Sequence, residues 1–264
     1  MILKRAKNGD NGPGKIDLGS PIRLVMLLGL LWMGIGATSA AGAVDPGKMI
    51  ELLDEMDASY SRVNDYAAAF YNQERVGGEL DDGQTILLKF QKPFKVYMKF
   101  VDGGSKGTEA LYVKGSYENK LLVRPTGFLG FMTLSLDPKG LLAMTRKRHP
   151  VTEIGFGFLL DEVRRNIEPA ARSGELEIVR LADEIFQGRP ATVVEGRLVP
   201  NGRKKYYCAR FIIHIDKELL LPVGDAFYDG SDEMFEDYVF TNVKLNVGLT
   251  AMDFSRNNKS YRFH

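Results

Sequence analysis

The chain has 264 residues, 26% charged and 44% hydrophobic, with 35 basic against 34 acidic side chains, which excludes collagen-like sequence and bulk disorder. A net charge of +1 lacks the basic excess of a nucleic-acid binder. One cysteine excludes an internal disulfide and a cysteine-based zinc site, and three histidines (His149, His214 and His264) leave little for histidine metal chemistry.

The first element is a leader. Leu24 to Ile35 is an apolar run behind Lys4, Arg5, Lys7, Lys15 and Arg23, and Ala41-Gly42-Ala43 follows it. Basic, apolar and small-residue regions in that order predict a secretory signal peptide over residues 1–43. The run is shorter than the roughly 20 residues of a spanning helix. Cleavage would leave residues 44–264 as one domain in the periplasm, with a net charge of −2. No cysteine lies near the cleavage region to carry a lipid anchor, and Trp32 departs with the leader.

Asp45-Pro46 then reads as a helix start. Met49, Leu53, Met56, Tyr60 and Val63 recur at helical spacing and predict an amphipathic helix ending near Asn64. Beyond it the period falls to two. Strands are predicted at Tyr66 to Val76, Thr85 to Phe90, Phe94 to Phe100, Glu109 to Val113 and Lys120 to Val123. Leu88, Phe90, Phe94, Val96, Met98 and Phe100 share one face, with Lys95, Tyr97 and Lys99 on the other. Pro125 to Arg148 is apolar without a clean period, and Arg146-Lys147-Arg148 reads as a solvated turn.

A second helix is predicted from about Ile154 to Glu168, with Gly155 and Gly157 weakening its start. Strands follow at Glu175 to Leu181, Ala191 to Leu198, Tyr206 to Ile215, Leu220 to Tyr228 and Glu233 to Leu245. Phe211 and Ile213 share a face of the third, with Cys208 and His214 on the reverse. Sequential strands and short turns predict an α+β fold, a large antiparallel sheet with two helical interruptions.

Chemistry is sparse. There is no nucleophile elbow, phosphate loop, zincin helix or cysteine pair. Cys208 and His214 stand six residues apart on one strand, roughly 20 Å at about 3.3 Å per residue, which excludes a nucleophile pair. Asp81, Asp82, Asp225 and Asp229 read as turn carboxylates. No catalytic residue, metal site or cofactor is expected. What remains is an apolar sheet face of Leu88, Phe90, Phe94, Val96, Met98, Phe100, Phe211 and Ile213, suited either to packing or to an apolar cavity.

The segments LLKFQKPFKVYMKF, EALYVKGSYENKLLV, IDKELLLPVGDAFYDG, YVFTNVKLNVGLTAMDF and NNKSYRF, in that order behind a helix and a strand, resemble the LolA-like superfamily of periplasmic lipoprotein carriers. The pattern looks closer still to a bacterial family of unassigned function with that fold. The resemblance implies an open, curved half-barrel with helices on its concave face and acyl chains held between. Lys92 falls where carriers have an arginine that holds the lid, and it keeps the charge without the bidentate fork. Met49, Leu53, Met56 and Tyr60 would form that lid, with Phe128 to Met144 as a second cover. The expectation is a monomeric, non-catalytic carrier or chaperone for a lipid, acyl chain or lipoprotein, with a possible inner- or outer-membrane protein partner. The alternative is an envelope sensor or assembly module that docks on a protein.

Overall fold

The computed structural model describes residues 44–202 and 205–263, so the predicted signal peptide lies outside it. Helix α1 (Gly47–Ser61) starts where Asp45 Oδ1 accepts the Gly47 N–H at 2.9 Å, and it ends short of Asn64. The first half of the sheet is β1 (Asp65–Val76), β2 (Glu79–Leu80), β3 (Gln84–Gln91), β4 (Lys95–Phe100), β5 (Glu109–Val113), β6 (Leu121–Arg124) and β7 (Leu134–Leu136). After a long connection come α2 (Phe156–Ser173), β8 (Leu176–Phe186), β9 (Arg189–Leu198), β10 (Arg210–Asp216), β11 (Leu221–Tyr228) and β12 (Met234–Leu245).

All twelve strands join one antiparallel sheet in the order β7-β6-β5-β4-β3-β1-β12-β11-β10-β9-β8, with β2 folded back on β1. Two meanders of sequence-adjacent strands are thus sewn together by the β1–β12 pair. The sheet is curved and unclosed, as the family resemblance implied, and β7 and β8 are its edges. Among the described residues no helix is long and apolar enough to cross a membrane.

The two helices pack on one face. Met49, Leu53 and Met56 of α1 meet Leu160, Val163 and Ile167 of α2 above Val194, Phe211 and Ile213. Arg164 ties the helices at their rim, with Nη2 2.8 Å from Asp54 and 2.6 Å from Asp57. Gly155 precedes α2 with φ +94°, and any Cβ there would collide with the Tyr66 hydroxyl, so glycine is required at this close approach. That hydroxyl accepts the Phe156 N–H at 3.3 Å and sets where α2 begins.

The opposite face of β4 to β6 is not open to solvent. Residues 246–263 return across it and place Phe254, Tyr261 and Phe263 over Tyr97, Leu111 and Leu122. Tyr97 stacks on Tyr261 at 3.8 Å, so the outward position beside Lys95 and Lys99 is buried. Lys89 Nζ holds this strap through Asp253 at 2.7 Å, and Arg262 donates its N–H to buried Glu109 at 3.0 Å. The strand predicted from Tyr206 begins only at Arg210, which frees Cys208 from the alternation and lets it join the core around Phe211.

Candidate ligand-binding cavity

Along the inner face of β1 and β12 three rows lie directly opposite: Phe70 with Phe240, Asn72 with Tyr238, and Glu74 with Glu236. Period-two alternation puts all six on one side, and the stripe passes from stacked aromatics to paired acids within four residues. A cavity of about 220 Å³ lies above this stripe. Its apolar walls come from Ile86, Met98, Phe100, Ala110, Leu121 and Val123 of the first meander, and from Phe158 and Leu159 of α2. Its cover is the connection from β7 to α2, through Leu142, Ala143, Val151 and Ile154.

Glu74 and Glu236 are both buried, and like charges facing each other across strands destabilise a sheet. The cover supplies the compensation. Arg148 donates its backbone N–H to Glu74 Oε2 at 2.9 Å and its Nε–H to Glu236 Oε1 at 2.7 Å. His149 Nε2 lies 2.9 Å from Glu236 Oε1, and its Nδ1 lies 3.2 Å from Glu153 Oε2. Burial works against the imidazolium, but Glu236, Glu153 and Glu74 outweigh it and hold the histidine above its usual range. Tyr238 donates to Glu74 Oε1 at 2.5 Å, and Tyr207 donates to Glu236. Burial, reinforced by these carboxylates, pushes both phenols upward, so they remain donors at neutral pH.

Two groups in the central row stand outside this network. Asn72 Oδ1 is buried without a partner and its side chain lines the cavity. Asp225, opposite Tyr238, has both carboxyl oxygens buried and unpartnered. Burial and the charges of Glu236 and Asp237 push its carboxyl well above the usual range. Asp225 is therefore a mid-strand acid within β11 and not a turn carboxylate. Arg148, likewise, is no solvated turn residue but the cover's anchor.

The expected site residues divide between regions. Met98 and Phe100 line the cavity. Leu88, Phe90 and Val96 fill the adjoining core, with Phe94 packed against it. Phe211 and Ile213 lie fully buried beneath the helices. Met49, Leu53 and Met56 plug the same helical core, while Tyr60 spans both cores. Lys92 does reach the helix: Nζ donates to the Tyr60 carbonyl at 2.6 Å and sits 3.9 Å from the Tyr60 ring centroid. Burial pushes the Tyr60 phenol up to about 12. Sequence reasoning missed Asn72, Glu74, Arg148, His149 and Glu236. The available signal was the alternation itself, which places Asn72 and Glu74 inward behind Phe70.

Among the described residues no cluster of three or more histidine, cysteine or acidic side chains is arranged to hold a metal ion. The Cys208 thiol is pushed up to about 12 by burial and by Glu236 and Glu162, so it stays protonated and unreactive at neutral pH.

An open antiparallel sheet with two helices on its inner face is the fold that the LolA-like resemblance implied, whereas the cavity lies under the β7–α2 connection and not under α1, which packs on a filled core. Residues 63–263 match the model of a family described as a protein of unknown function, DUF1571, and the chain belongs to that family. No curated protein matches the chain. Among solved structures it is similar to the Mycobacterium tuberculosis lipoprotein LppX, at 12% identity and a TM-score of 0.45 over 77% of this chain and 98% of that one. It is also similar to the Pseudomonas aeruginosa MucA/MucB complex, at 15% identity and 0.39 over 78% of this chain and 59% of that one. A LolA superfamily protein from Nitrosomonas europaea matches at 11% identity and 0.33, over 78% and 96% of the two chains.

Proposed function

We propose that this protein is a non-catalytic periplasmic carrier that holds the apolar chain of a lipid or acylated ligand in the cavity between β1, β3 to β6, α2 and the Arg148-bearing cover. The observation that carries this is the cavity itself, about 220 Å³ with predominantly apolar walls and one polar end. Each CH₂ taken from water contributes about 0.8 kcal/mol, so an acyl chain is retained without covalent chemistry. The polar end fixes which way round the ligand lies. Glu74, Glu153, Glu162 and Glu236 line it against Lys147 and His149, and the unpartnered Asn72 Oδ1 is an acceptor. That surface suits a headgroup that donates hydrogen bonds, such as hydroxyls or an ammonium.

The test is displacement of a fluorescent hydrophobic dye by single-chain amphiphiles. Affinity should rise about fourfold per added CH₂ until the cavity is full, then level off. Alkylammonium probes should outcompete alkyl carboxylates of equal length. A protein that binds neither dye nor any amphiphile contradicts the reading.

A further inference from the structure

We propose that the two connections flanking β7 form a membrane-docking surface, and that its partner is an anionic lipid bilayer. This goes beyond ligand binding and shares only Leu142 with the cavity wall among its apolar side chains. The β6–β7 connection exposes Phe128 at 90% and Phe131 at 69%, and the β7–α2 connection exposes Leu141 at 92% and Leu142 at 75%. The two connections are separated only by β7, three residues or roughly 10 Å of strand. Side chains this apolar, exposed this fully and grouped in sequence mark an interaction site more than ordinary surface.

The shape favours a fluid partner. Phe128 sits on a single 3-10 turn, Gly127–Leu129, and meets Phe131 edge to face at 6.3 Å. These rings project from short turns, so a partner needs depth of apolar material and no complementary relief. An interfacial lipid layer provides that. The charge agrees: with Arg148 taken up by Glu74 and Glu236, the segment still carries exposed Lys139 and Arg146 and half-buried Lys147 against Asp137 alone, while residues 44–264 carry a net charge of −2. A basic segment on an otherwise acidic domain is drawn to anionic headgroups and orients the protein on them. Leu142 is at once exposed and part of the cavity wall, so the docked surface leads directly to the cavity cover.

The experiment is co-sedimentation of the full chain with phosphatidylcholine vesicles made with and without phosphatidylglycerol. The wild type should sediment with the phosphatidylglycerol vesicles, and more weakly as salt rises. Phe128→Ser with Phe131→Ser, and separately Leu141→Ser with Leu142→Ser, should each weaken binding by about tenfold or more. Lys139→Glu with Arg146→Glu should abolish the preference for phosphatidylglycerol. Phe128, Phe131, Leu141, Leu142, Lys139 and Arg146 are all exposed, so thermal midpoints should stay unchanged, and dye binding by the Phe128/Phe131 variant reports the cavity independently. A wild type that sediments with neither vesicle overturns the proposal, as do Phe and Leu variants that bind like wild type. An oligomer that the same substitutions dissolve would assign the surface to a second copy and overturn it too.

Discussion

The helix-covered half of the sheet and the connection-covered half differ in one respect that decides their use. Over β9 to β11, α1 and α2 interlock at helical spacing, and Phe211 and Ile213 are left with no exposed surface. Over β1 and β3 to β6, the cover from β7 to α2 is irregular backbone, and a cavity of about 220 Å³ remains beneath it. The two halves differ in their covers: regular helices fill the space over one, and an irregular connection leaves it over the other. Irregular backbone also brings unpaired polar groups that must find partners when buried. Glu74 and Glu236 meet that need, accepting the Arg148 backbone N–H and side chain respectively. The hollow half is thus held by a polar clasp, the filled half by packing.

Breaking the clasp should have the largest effect. Glu236→Ala leaves Arg148, His149 and Tyr207 without their shared acceptor, and an uncompensated buried charge costs about 3–5 kcal/mol. Denaturant unfolding measures this, and proteolysis should cut first between residues 137 and 155. Truncations in the two halves should then separate them. Phe211→Ala opens a void in a filled core and should cost about 3–5 kcal/mol without altering dye affinity. Met98→Ala enlarges a space that already exists, so it should cost about 2 kcal/mol and change dye affinity.

A smaller effect of opposite sign is expected at the boundary. Asp225→Asn removes a buried carboxyl with no partner and should stabilise the protein by about 1–2 kcal/mol at neutral pH. The native carboxyl titrates above its ordinary value of 3.8, so the folded state favours its neutral form. That stabilisation is complete below 3.8 and fades as pH rises through the raised value. His149, raised above 6.5, likewise stabilises at low pH and loses its contribution as pH rises through its own raised value. Thermal midpoints across pH should therefore decline less steeply for Asp225→Asn than for wild type. Parallel curves would contradict the assignment.

Much of this was legible in the sequence. The clear alternation at Lys95 to Phe100 yielded β4 and its inward Met98 and Phe100, and the helical stripe from Met49 to Tyr60 yielded α1. Both signals are periodic and local, the kind a chain displays without its partners. What the period did not carry was long-range pairing. Glu74 and Glu236 become a site only because β1 and β12 lie side by side, 162 residues apart in sequence. Arg148 looked like a turn residue because its acceptors are supplied by those two strands. Tyr97 shared a face with Lys95 and Lys99 in the alternation, and the strap that buries it arrives from residues 246–263. Register between distant strands is set by tertiary packing, which leaves no local trace.

If the hollow half holds an apolar chain, native mass spectrometry of protein purified without detergent will show it. Wild type should carry added mass that organic extraction releases as lipid. Ala110→Phe, which fills the cavity from β5 at a cost of about 1–3 kcal/mol, should fold and carry none. A wild type with the bare polypeptide mass, or equal added mass on wild type and Ala110→Phe, would mean that the cavity holds no such chain.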